Sequence, residues 1–323
     1  MISPDRSRKH DNIRAFLIFC VLLGHFLEGI AGWDALYKVI YTFHMPAFVF
    51  LSGYFARFKS EKLLRRTLLP YVLFQTLYIA FDRRILGGSA AFQYTLPYWL
   101  MWYLPALFLW NLLLPVIDTD RPGRMAATLL GCVALGLAAG FDRSINRNLT
   151  ISRLLVFLPF FIAGVYWRKL NVAIPFRGRR QAMTFAAAGA AAGLTCLALA
   201  ARLSNELYYG ASGYEGSGGT PALRLLLYAA GAAWIAVIFL LAPDRPIPGF
   251  TVWGRHTMPI YLFHGFVVRL SQRWGIFHYT KNRNLCLAVL LSLTVMAIFG
   301  WFSPGTLTGA VRHKVKQGAD STL

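Results

Sequence analysis

Residues 12–31 read NIRAFLIFCVLLGHFLEGIA, and this segment indicates the fold class. A helix that crosses a bilayer needs about 20 mostly apolar residues, which is the length of this segment. Apolar runs of similar length recur along the chain, so the sequence predicts an all-α, polytopic integral membrane protein with about ten transmembrane helices. The predicted spans are roughly 12–31, 37–57, 66–82, 96–117, 125–141, 151–167, 182–201, 223–242, 257–275 and 284–303.

The composition excludes several other classes of protein. Of the 323 residues, 57% are hydrophobic and 14% are charged, whereas soluble domains carry about 25% charged residues. The net charge of +20 would suit a nucleic-acid-binding protein, but such a protein needs a charged, solvated surface. The basic residues instead form short clusters between apolar runs, as in loops that face anionic lipids. We therefore expect membrane lipids as partners and no nucleic acid, and we exclude a soluble enzyme.

The basic residues also predict the orientation. With the N-terminus in the cytoplasm, most of the 33 Lys and Arg residues fall on the cytoplasmic side, so an N-in, C-in layout is expected. The ninth and tenth spans fit least well, because their outer loop region carries Arg269, Arg273, Lys281 and Arg283. No gap between spans is long enough to fold alone, so residues 1–323 are expected to form a single membrane-embedded domain without a separate soluble domain. The longest outer loop, 202–222, is either a lid near a substrate path or a plain linker.

The cysteines give no sign of a metal site. They are far apart, each lies in an apolar run, and no Cys-x-x-Cys pair or Cys/His cluster is present. We expect small buried apolar side chains and no metal. The four residues are Cys20, Cys132, Cys196 and Cys286.

The first span carries an arginine and a histidine on one face. His25 follows Arg14 by eleven residues, which on a helix is three turns plus about 20° and a rise of about 16.5 Å. Arg14 is then expected at the cytoplasmic mouth and His25 near mid-membrane. A guanidinium suits a phosphate and an imidazole suits proton transfer, so the pair fits a donor with a phosphorylated end. The alternative is that His25 bonds a neighbouring helix and Arg14 reaches lipid phosphates.

Other polar groups in or beside the spans are further candidates, because ionisable groups in a membrane are costly. His44 precedes Pro46, which is expected to kink the helix, and Ser52 and Gly53 permit close helix contact. His44 is either functional or satisfied by a backbone carbonyl. Further along, Arg255 is expected at the cytoplasmic end of the ninth span with His264 deeper in the membrane, as Arg14 and His25 are in the first span. The remaining candidates are Glu28 and Arg269, and the basic cluster Lys62, Arg65 and Arg66, which is a topology anchor or a phosphate site.

These residues resemble the membrane acyltransferase-three family, and within it the sugar O-acetylases of the fucose 4-O-acetylase type. The matching segments occur in family order across nearly the whole chain. They are Asp11-Asn12-Ile13-Arg14 with His25, Phe43-His44-Met45-Pro46, Phe50-Leu51-Ser52-Gly53-Tyr54, Arg65-Arg66 with Pro70-Tyr71, Trp102-Tyr103-Leu104-Pro105-Ala106-Leu107-Phe108, Gly254-Arg255 and Ile260-Tyr261-Leu262-Phe263-His264.

The resemblance implies a ten-helix membrane acyltransferase that uses cytoplasmic acyl-CoA, acetyl-CoA above all, as a co-substrate and holds no tightly bound cofactor. It implies transfer to a hydroxyl of a cell-envelope glycan or lipid-linked sugar, and a location in the bacterial cytoplasmic membrane. The family associates the arginine matching Arg14 with the CoA donor and takes the histidine matching His25 as catalytic.

On this basis, the nucleotide phosphates are expected to bind Arg14, Arg65 and Arg66, with Lys62 as a further contact. His25 is expected to act as general base, or to form an acyl-histidine. His44 is the second catalytic candidate. Weaker substrate candidates are His264, Arg255, Trp102 and Tyr103, although the two aromatic residues also fit a core or interfacial position. The alternative function is a transporter or flippase for a glycan or lipid-linked precursor, and a purely structural protein is the third class.

Overall fold

A computed structural model describes residues 7–117, 119–171 and 204–301, with a few single positions between 183 and 193. In this part of the chain the secondary structure is helical and no strand is present. The α-helices are α1 (Arg8–Leu27), α2 (Asp34–Phe55), α3 (Ser60–Leu63), α4 (Leu69–Phe81), α5 (Tyr103–Leu112), α6 (Leu114–Ile117), α7 (Pro122–Ala138), α8 (Ile151–Lys169), α9 (Asn205–Tyr209), α10 (Tyr214–Ser217), α11 (Pro221–Leu241), α12 (Phe250–Arg255), α13 (Thr257–Arg273) and α14 (Lys281–Trp301). π-helical turns cover Leu64–Leu68 and Asp82–Leu86, and 3-10 turns cover Trp99–Trp102 and Asn148–Thr150.

Five helical segments in the described residues are long and apolar enough to cross a membrane. They are α1, α2, α8 with its preceding 3-10 turn, α11 and α14. The all-helical architecture agrees with an integral membrane protein, while the number of about ten spans and the N-in, C-in layout stay predictions. Most of the predicted span 182–201 and all basic residues beyond residue 301 lie outside the described residues.

Two of the predicted spans, 12–31 and 96–117, differ most from the observed helices. Helix α1 covers Arg8–Leu27 rather than 12–31, because Ser7 caps its N-terminus by accepting a hydrogen bond from the amide of His10. Beyond its C-terminus the chain turns at Gly32, whose φ of +84° favours glycine. The predicted span 96–117 is divided into a 3-10 turn, α5 and α6, since Pro115 has no amide hydrogen to continue α5.

The described helices belong to two compact units, Met1–Gly32 with Ala242–Leu323, and Trp33–Leu241. In the first unit, α1 and α12 approach closely: a Cβ on Gly254 would lie 1.8 Å from the carbonyl oxygen of Asp11. Helix α13 runs in the same direction as α1, because its His264 ring stacks on His25 near the end of α1. Helix α14 runs the opposite way, since Gly300 lies against Trp253.

The second unit is built around the parallel pair α2 and α8. A Cβ on Gly53 would lie 1.9 Å from the carbonyl oxygen of Phe161, and one on Gly164 would lie 2.0 Å from that of Phe50. The close helix contact predicted at Gly53 is therefore present. Pro46 lies inside the continuous helix α2 and packs against Gly231 of α11.

The expectation that all four cysteines are buried is wrong for one of them. Cys20 and Cys132 are buried, but Cys286 is exposed. The reason is that α14 is packed on one side only, and 33% of its apolar segment is buried. Cys196 lies outside the described residues.

Candidate active site

The first unit brings two of the predicted histidines together. The His25 and His264 rings stack with centroids 5.5 Å apart and an interplanar angle of 27°. His25 occupies the last turn of α1, whereas the sequence placed it near the middle of the span. The reason is that α1 both starts and ends earlier than predicted.

Glu28 contacts His25 directly. A Glu28 Oε1 atom lies 2.9 Å from His25 Nδ1, and the His25 and Glu28 side chains are 13% and 21% exposed. An ionised carboxylate only accepts hydrogen bonds, so Nδ1 carries the proton and the lone pair of neutral His25 lies on Nε2. A carboxylate that fixes the tautomer of an imidazole in this way is the arrangement of a general base and its orienting partner. From the sequence, Glu28 was a candidate without an assigned role. Its spacing of three residues from His25 does indicate that the two side chains can meet on one side of a helix.

His264 is fully buried beside His25. Its Nδ1 lies 2.8 Å from the carbonyl oxygen of Tyr261 and 3.1 Å from that of Ile260. Because carbonyl oxygens only accept hydrogen bonds, Nδ1 carries the proton and Nε2 the lone pair. In the described part of the chain, Nε2 has no hydrogen-bond partner. Such an orphaned atom in a protein interior requires an explanation, and a reacting group beside His25 is one.

The segment Asp11-Asn12-Ile13-Arg14 connects α1 to α12 and thereby positions this site. Arg255 Nε donates to Asp11 Oδ2 at 3.0 Å, and the Asp11 side chain is 4% exposed. Asp11 therefore binds Arg255 and does not cap α1, which Ser7 does. The substrate role of Arg255 stays a prediction. Arg14 lies in the same continuous helix as His25 and is half-buried, so the expected alignment of the two side chains follows from helix geometry.

Asn12 uses its whole side chain to hold the segment before α12. Its Nδ2 donates to the carbonyl oxygens of Pro243 and Arg245, both at 2.9 Å. Its Oδ1 accepts from the Thr251 hydroxyl at 2.6 Å. This buried network fixes the entry to α12, and with it the position of Arg255.

His44 lies in the second unit and is buried. Its Nδ1 donates to the carbonyl oxygen of Ile40 at 2.8 Å, and its ring meets that of Tyr41 edge-on at 4.6 Å. This is the backbone-satisfied histidine that the sequence allowed as an alternative. The catalytic role of His44 stays a prediction.

The basic cluster of Lys62, Arg65 and Arg66 is exposed, which leaves it accessible to a phosphorylated ligand. Its two arginines lie in the π-helical turn Leu64–Leu68. Arg65 lies 3.7 Å from Glu61, an exposed pair that contributes little to stability.

Trp102 and Tyr103 are both engaged within the second unit. The Trp102 ring is 9% exposed and stacks on Phe157 at 5.6 Å, and the guanidinium of Arg153 lies 4.8 Å from its centroid. The Tyr103 hydroxyl hydrogen-bonds to Ser52 at 2.5 Å. These contacts favour the core interpretation of both aromatic residues.

Residues at the end of α7 and before α11 line a pocket of about 840 Å³ that the sequence did not predict. Phe141 is 72% exposed there. Arg143 pairs with Glu215, and Arg147 pairs with Glu206 at 2.5 Å. The described part of the loop 202–222 thus forms the short helices α9 and α10 and supplies one wall of the pocket.

Glu206 accepts hydrogen bonds from Ser212 and Arg147. Burial raises the pKa of Glu206, but hydrogen bonds from Ser212 and Arg147 outweigh it, so the pKa lies below its ordinary value. Among the described residues, no group of three or more His, Cys, Asp or Glu side chains is arranged to hold a metal ion.

Similarity to known proteins identifies the family of the chain. No curated protein matches the chain significantly. A family model does match, over residues 9–303, and its description is an acyltransferase domain. This range includes all of the described helices, apart from the first residue of α1, and it covers residues of both units. The chain therefore belongs to the membrane acyltransferase-three family and is an integral membrane acyltransferase.

Proposed function

We propose that the protein is an O-acyltransferase of the sugar O-acetylase type. It moves an acyl group, acetyl in the first instance, from cytoplasmic acyl-CoA to a hydroxyl of a cell-envelope glycan or lipid-linked sugar. The proposed location is the bacterial cytoplasmic membrane, and acyl-CoA is a co-substrate rather than a resident cofactor. Family membership supports acyl transfer in general, and the side chains of the His25 site support a hydroxyl acceptor.

The observation that carries the proposal is the His25–Glu28 pair at 2.9 Å. With Nδ1 held by the carboxylate, His25 Nε2 takes the proton of the acceptor hydroxyl as its oxygen attacks the thioester carbonyl. The new C–O bond forms, the C–S bond breaks, and the imidazolium returns the proton to the CoA thiolate. Glu28 stabilises the imidazolium in between. Attack of Nε2 itself on the thioester, giving an acyl-histidine, is the second route.

The donor is proposed to bind through its phosphates. Arg14 lies about 16.5 Å along α1 from His25, a distance that an extended pantetheine arm spans. Lys62, Arg65 and Arg66 add an exposed cluster of positive charge, which suits the nucleotide phosphates.

The 840 Å³ pocket of the second unit, rather than Trp102, is the proposed surface for binding a sugar. The Trp102 ring is already covered by Phe157 and Arg153. Phe141 meets Tyr214 edge-on but is 72% exposed, which leaves its ring accessible for stacking on a sugar. The Arg143–Glu215 pair beside it offers both donors and acceptors to hydroxyl groups.

The donor site is tested by thermal unfolding of the full chain in detergent against acetyl-CoA concentration. A ligand at about a hundred times its dissociation constant adds about 2.7 kcal/mol, which a melting curve resolves. We expect dose-dependent stabilisation that is lost in Arg14→Ala and kept in Arg143→Ala, which removes one exposed positive charge. No shift with folded wild-type protein would overturn the donor assignment.

The chemical step is tested with His25→Ala in membranes supplied with labelled acetyl-CoA. We expect the variant to bind acetyl-CoA as the wild type does and to give no acylated product. Normal product formation would refute the role of His25. Movement of a glycan or lipid-linked sugar across the membrane without release of CoA would instead support the transporter function.

A further inference from the structure

The guanidinium of Arg255, the last residue of α12, is held by the protein on one edge. Its Nε donates to Asp11 Oδ2 at 3.0 Å. Within the described part of the chain, no group accepts a hydrogen bond from its Nη1 or Nη2. The Arg255 side chain is 43% exposed, whereas that of Asp11 is 4% exposed. An accessible guanidinium with N–H groups to donate suits the oxygen atoms of a phosphate.

The backbone that carries Arg255 is fixed against α1. A Cβ on the preceding residue, Gly254, would lie 1.8 Å from the carbonyl oxygen of Asp11 and 3.2 Å from the amide nitrogen of Ala15. One turn earlier in α12, the Thr251 hydroxyl donates to Asn12 Oδ1 at 2.6 Å. Because α12 and the Nε edge are both attached to α1, the guanidinium is already oriented before a ligand arrives, which lowers the entropy lost on binding.

The surroundings of Arg255 carry more positive than negative charge. Arg14 follows Asp11 by three residues on α1, so the two side chains are neighbours on the helix surface. The Asp11 carboxylate therefore has two arginines near it and can neutralise only one of them. Residues 245–301, which include α12, α13 and α14, contain no Asp or Glu. The excess positive charge at this end of α1 favours an anionic ligand.

The positions of Arg14 and Arg255 along α1 match the order of the groups in CoA. Arg14 and Asp11 precede His25 by eleven and fourteen residues, which places them about 16.5 Å and about 21 Å from it along the helix. In an acyl-CoA the thioester comes first, the pyrophosphate follows, and the 3′-phosphate of the ribose lies farther out. With the thioester at His25 and the pyrophosphate at Arg14, the 3′-phosphate lies towards Asp11 and Arg255.

We propose that Arg255 binds the 3′-phosphate of the CoA donor through its Nη groups, while Asp11 holds Nε. A phosphate monoester carries a charge of about −1.5 to −2 at neutral pH, more than each phosphate of the pyrophosphate, so it gains most from the excess positive charge. Arg255 is then a specificity-determining residue that favours CoA thioesters over thioesters without the 3′-phosphate. This inference rests on the proposed function, because it concerns the donor of the same reaction.

The first test compares two donors on the wild-type chain and needs no variant. Thermal unfolding in detergent is followed against acetyl-CoA and against 3′-dephospho-acetyl-CoA. We expect a half-saturating concentration about 10- to 100-fold higher for the dephospho form, because a charge-assisted arginine–phosphate contact is lost. Equal values would overturn the inference and leave the proposed function intact. Folded protein that responds to neither compound would overturn the donor assignment itself, and this inference with it.

The second test assigns the 3′-phosphate to Arg255. Arg255→Gln removes the charge but keeps an amide N–H that can donate to Asp11. We expect acetyl-CoA to bind this variant about 10- to 100-fold more weakly, while the affinity for 3′-dephospho-acetyl-CoA stays within about twofold. Arg273→Gln, which removes an exposed arginine at the end of α13, is the matched control and should bind both donors as the wild type does. Equal losses for both donors in Arg255→Gln, or no loss for either, would refute the assignment.

A lipid phosphate is the other anion that could reach Arg255 at the membrane surface. It is tested by adding phosphatidylglycerol to the detergent micelles without any donor. We expect the lipid to change the unfolding temperature of the wild type and of Arg255→Gln equally. Stabilisation of the wild type alone, together with equal affinities for the two donors, would assign Arg255 to lipid binding and overturn the proposal.

Discussion

Replacing Gly254 by alanine should separate α1 from α12. The new Cβ would lie 1.8 Å from the carbonyl oxygen of Asp11, 2.6 Å from its carbonyl carbon and 3.2 Å from the amide nitrogen of Ala15. Asp11 and Ala15 are hydrogen-bond partners along α1, so the methyl group would press on the helix backbone itself. Since no flexible side chain is available to give way, the two helices must move apart by more than about 1 Å.

The expected loss of stability follows from two contributions. Overpacking against a rigid neighbour costs about 1–3 kcal/mol. The Arg255–Asp11 hydrogen bond at 3.0 Å is also lost, which leaves the buried Asp11 carboxylate without this partner. Arg255 is 43% exposed, so this second contribution is about 1 kcal/mol rather than that of a fully buried pair. Together they predict about 3 kcal/mol, or a Tm lower by about 6–10 °C.

The measurement is thermal unfolding in detergent, followed by the fluorescence of the nine tryptophans. Gly131→Ala is the matched control, because a Cβ on Gly131 in α7 would meet nothing within 4 Å. Alanine is favoured over glycine in a helix by about 1 kcal/mol, so this variant should equal or exceed the wild type. A Gly254→Ala protein that unfolds at the wild-type temperature would refute the close packing of α1 on α12.

Three further predictions concern other groups. Glu28→Gln should lower kcat about tenfold with little change in KM for acyl-CoA, because a neutral amide loses the charge-assisted part of the bond to His25; an unchanged kcat would exclude Glu28 as the orienting group. Asn12→Ala should destabilise the protein by about 2–4 kcal/mol in chemical denaturation, because it removes three hydrogen bonds and leaves buried partners unsatisfied. The lowered pKa of Glu206 means that this group contributes stability above its ordinary pKa of 4.5 and loses it as the pH falls through the lowered value. Ser212→Ala should therefore weaken the fall of Tm on acidification, and an identical pH dependence in wild type and variant would contradict the pKa assignment.

The sequence predicted the helices better than the contacts between them. Apolar run length located α1, α2, α8, α11 and α14 to within a few residues, because the bilayer fixes both the length and the polarity of a span. It failed for 96–117, where a proline at position 115 interrupts a stretch that hydropathy alone treats as continuous.

The candidate site shows the same limit. Helical spacing along α1 identified Arg14 and His25 as residues of one face, since both lie on one element. The stacking of His264 on His25 depends on the packing of two helices that are more than two hundred residues apart. A single sequence does not show which distant helices pack against each other. The pocket near Phe141 depends in the same way on how α10 packs against the end of α7.

Helix α1 carries polar residues at its two ends for different reasons. Asp11 and Asn12 are buried, and their side chains hold Arg255 and the segment before α12. His25 and Glu28 at the other end remain partly exposed and contact each other. Because a helix transmits orientation along its axis, the buried residues set the direction in which His25 points, and a small misplacement of a catalytic group is costly. Substitution of Asn12 should therefore lower kcat while acetyl-CoA still stabilises the protein, whereas substitution of Arg14 should abolish that stabilisation. The two measurements together distinguish the residues of α1 that position the site from the one that binds the donor.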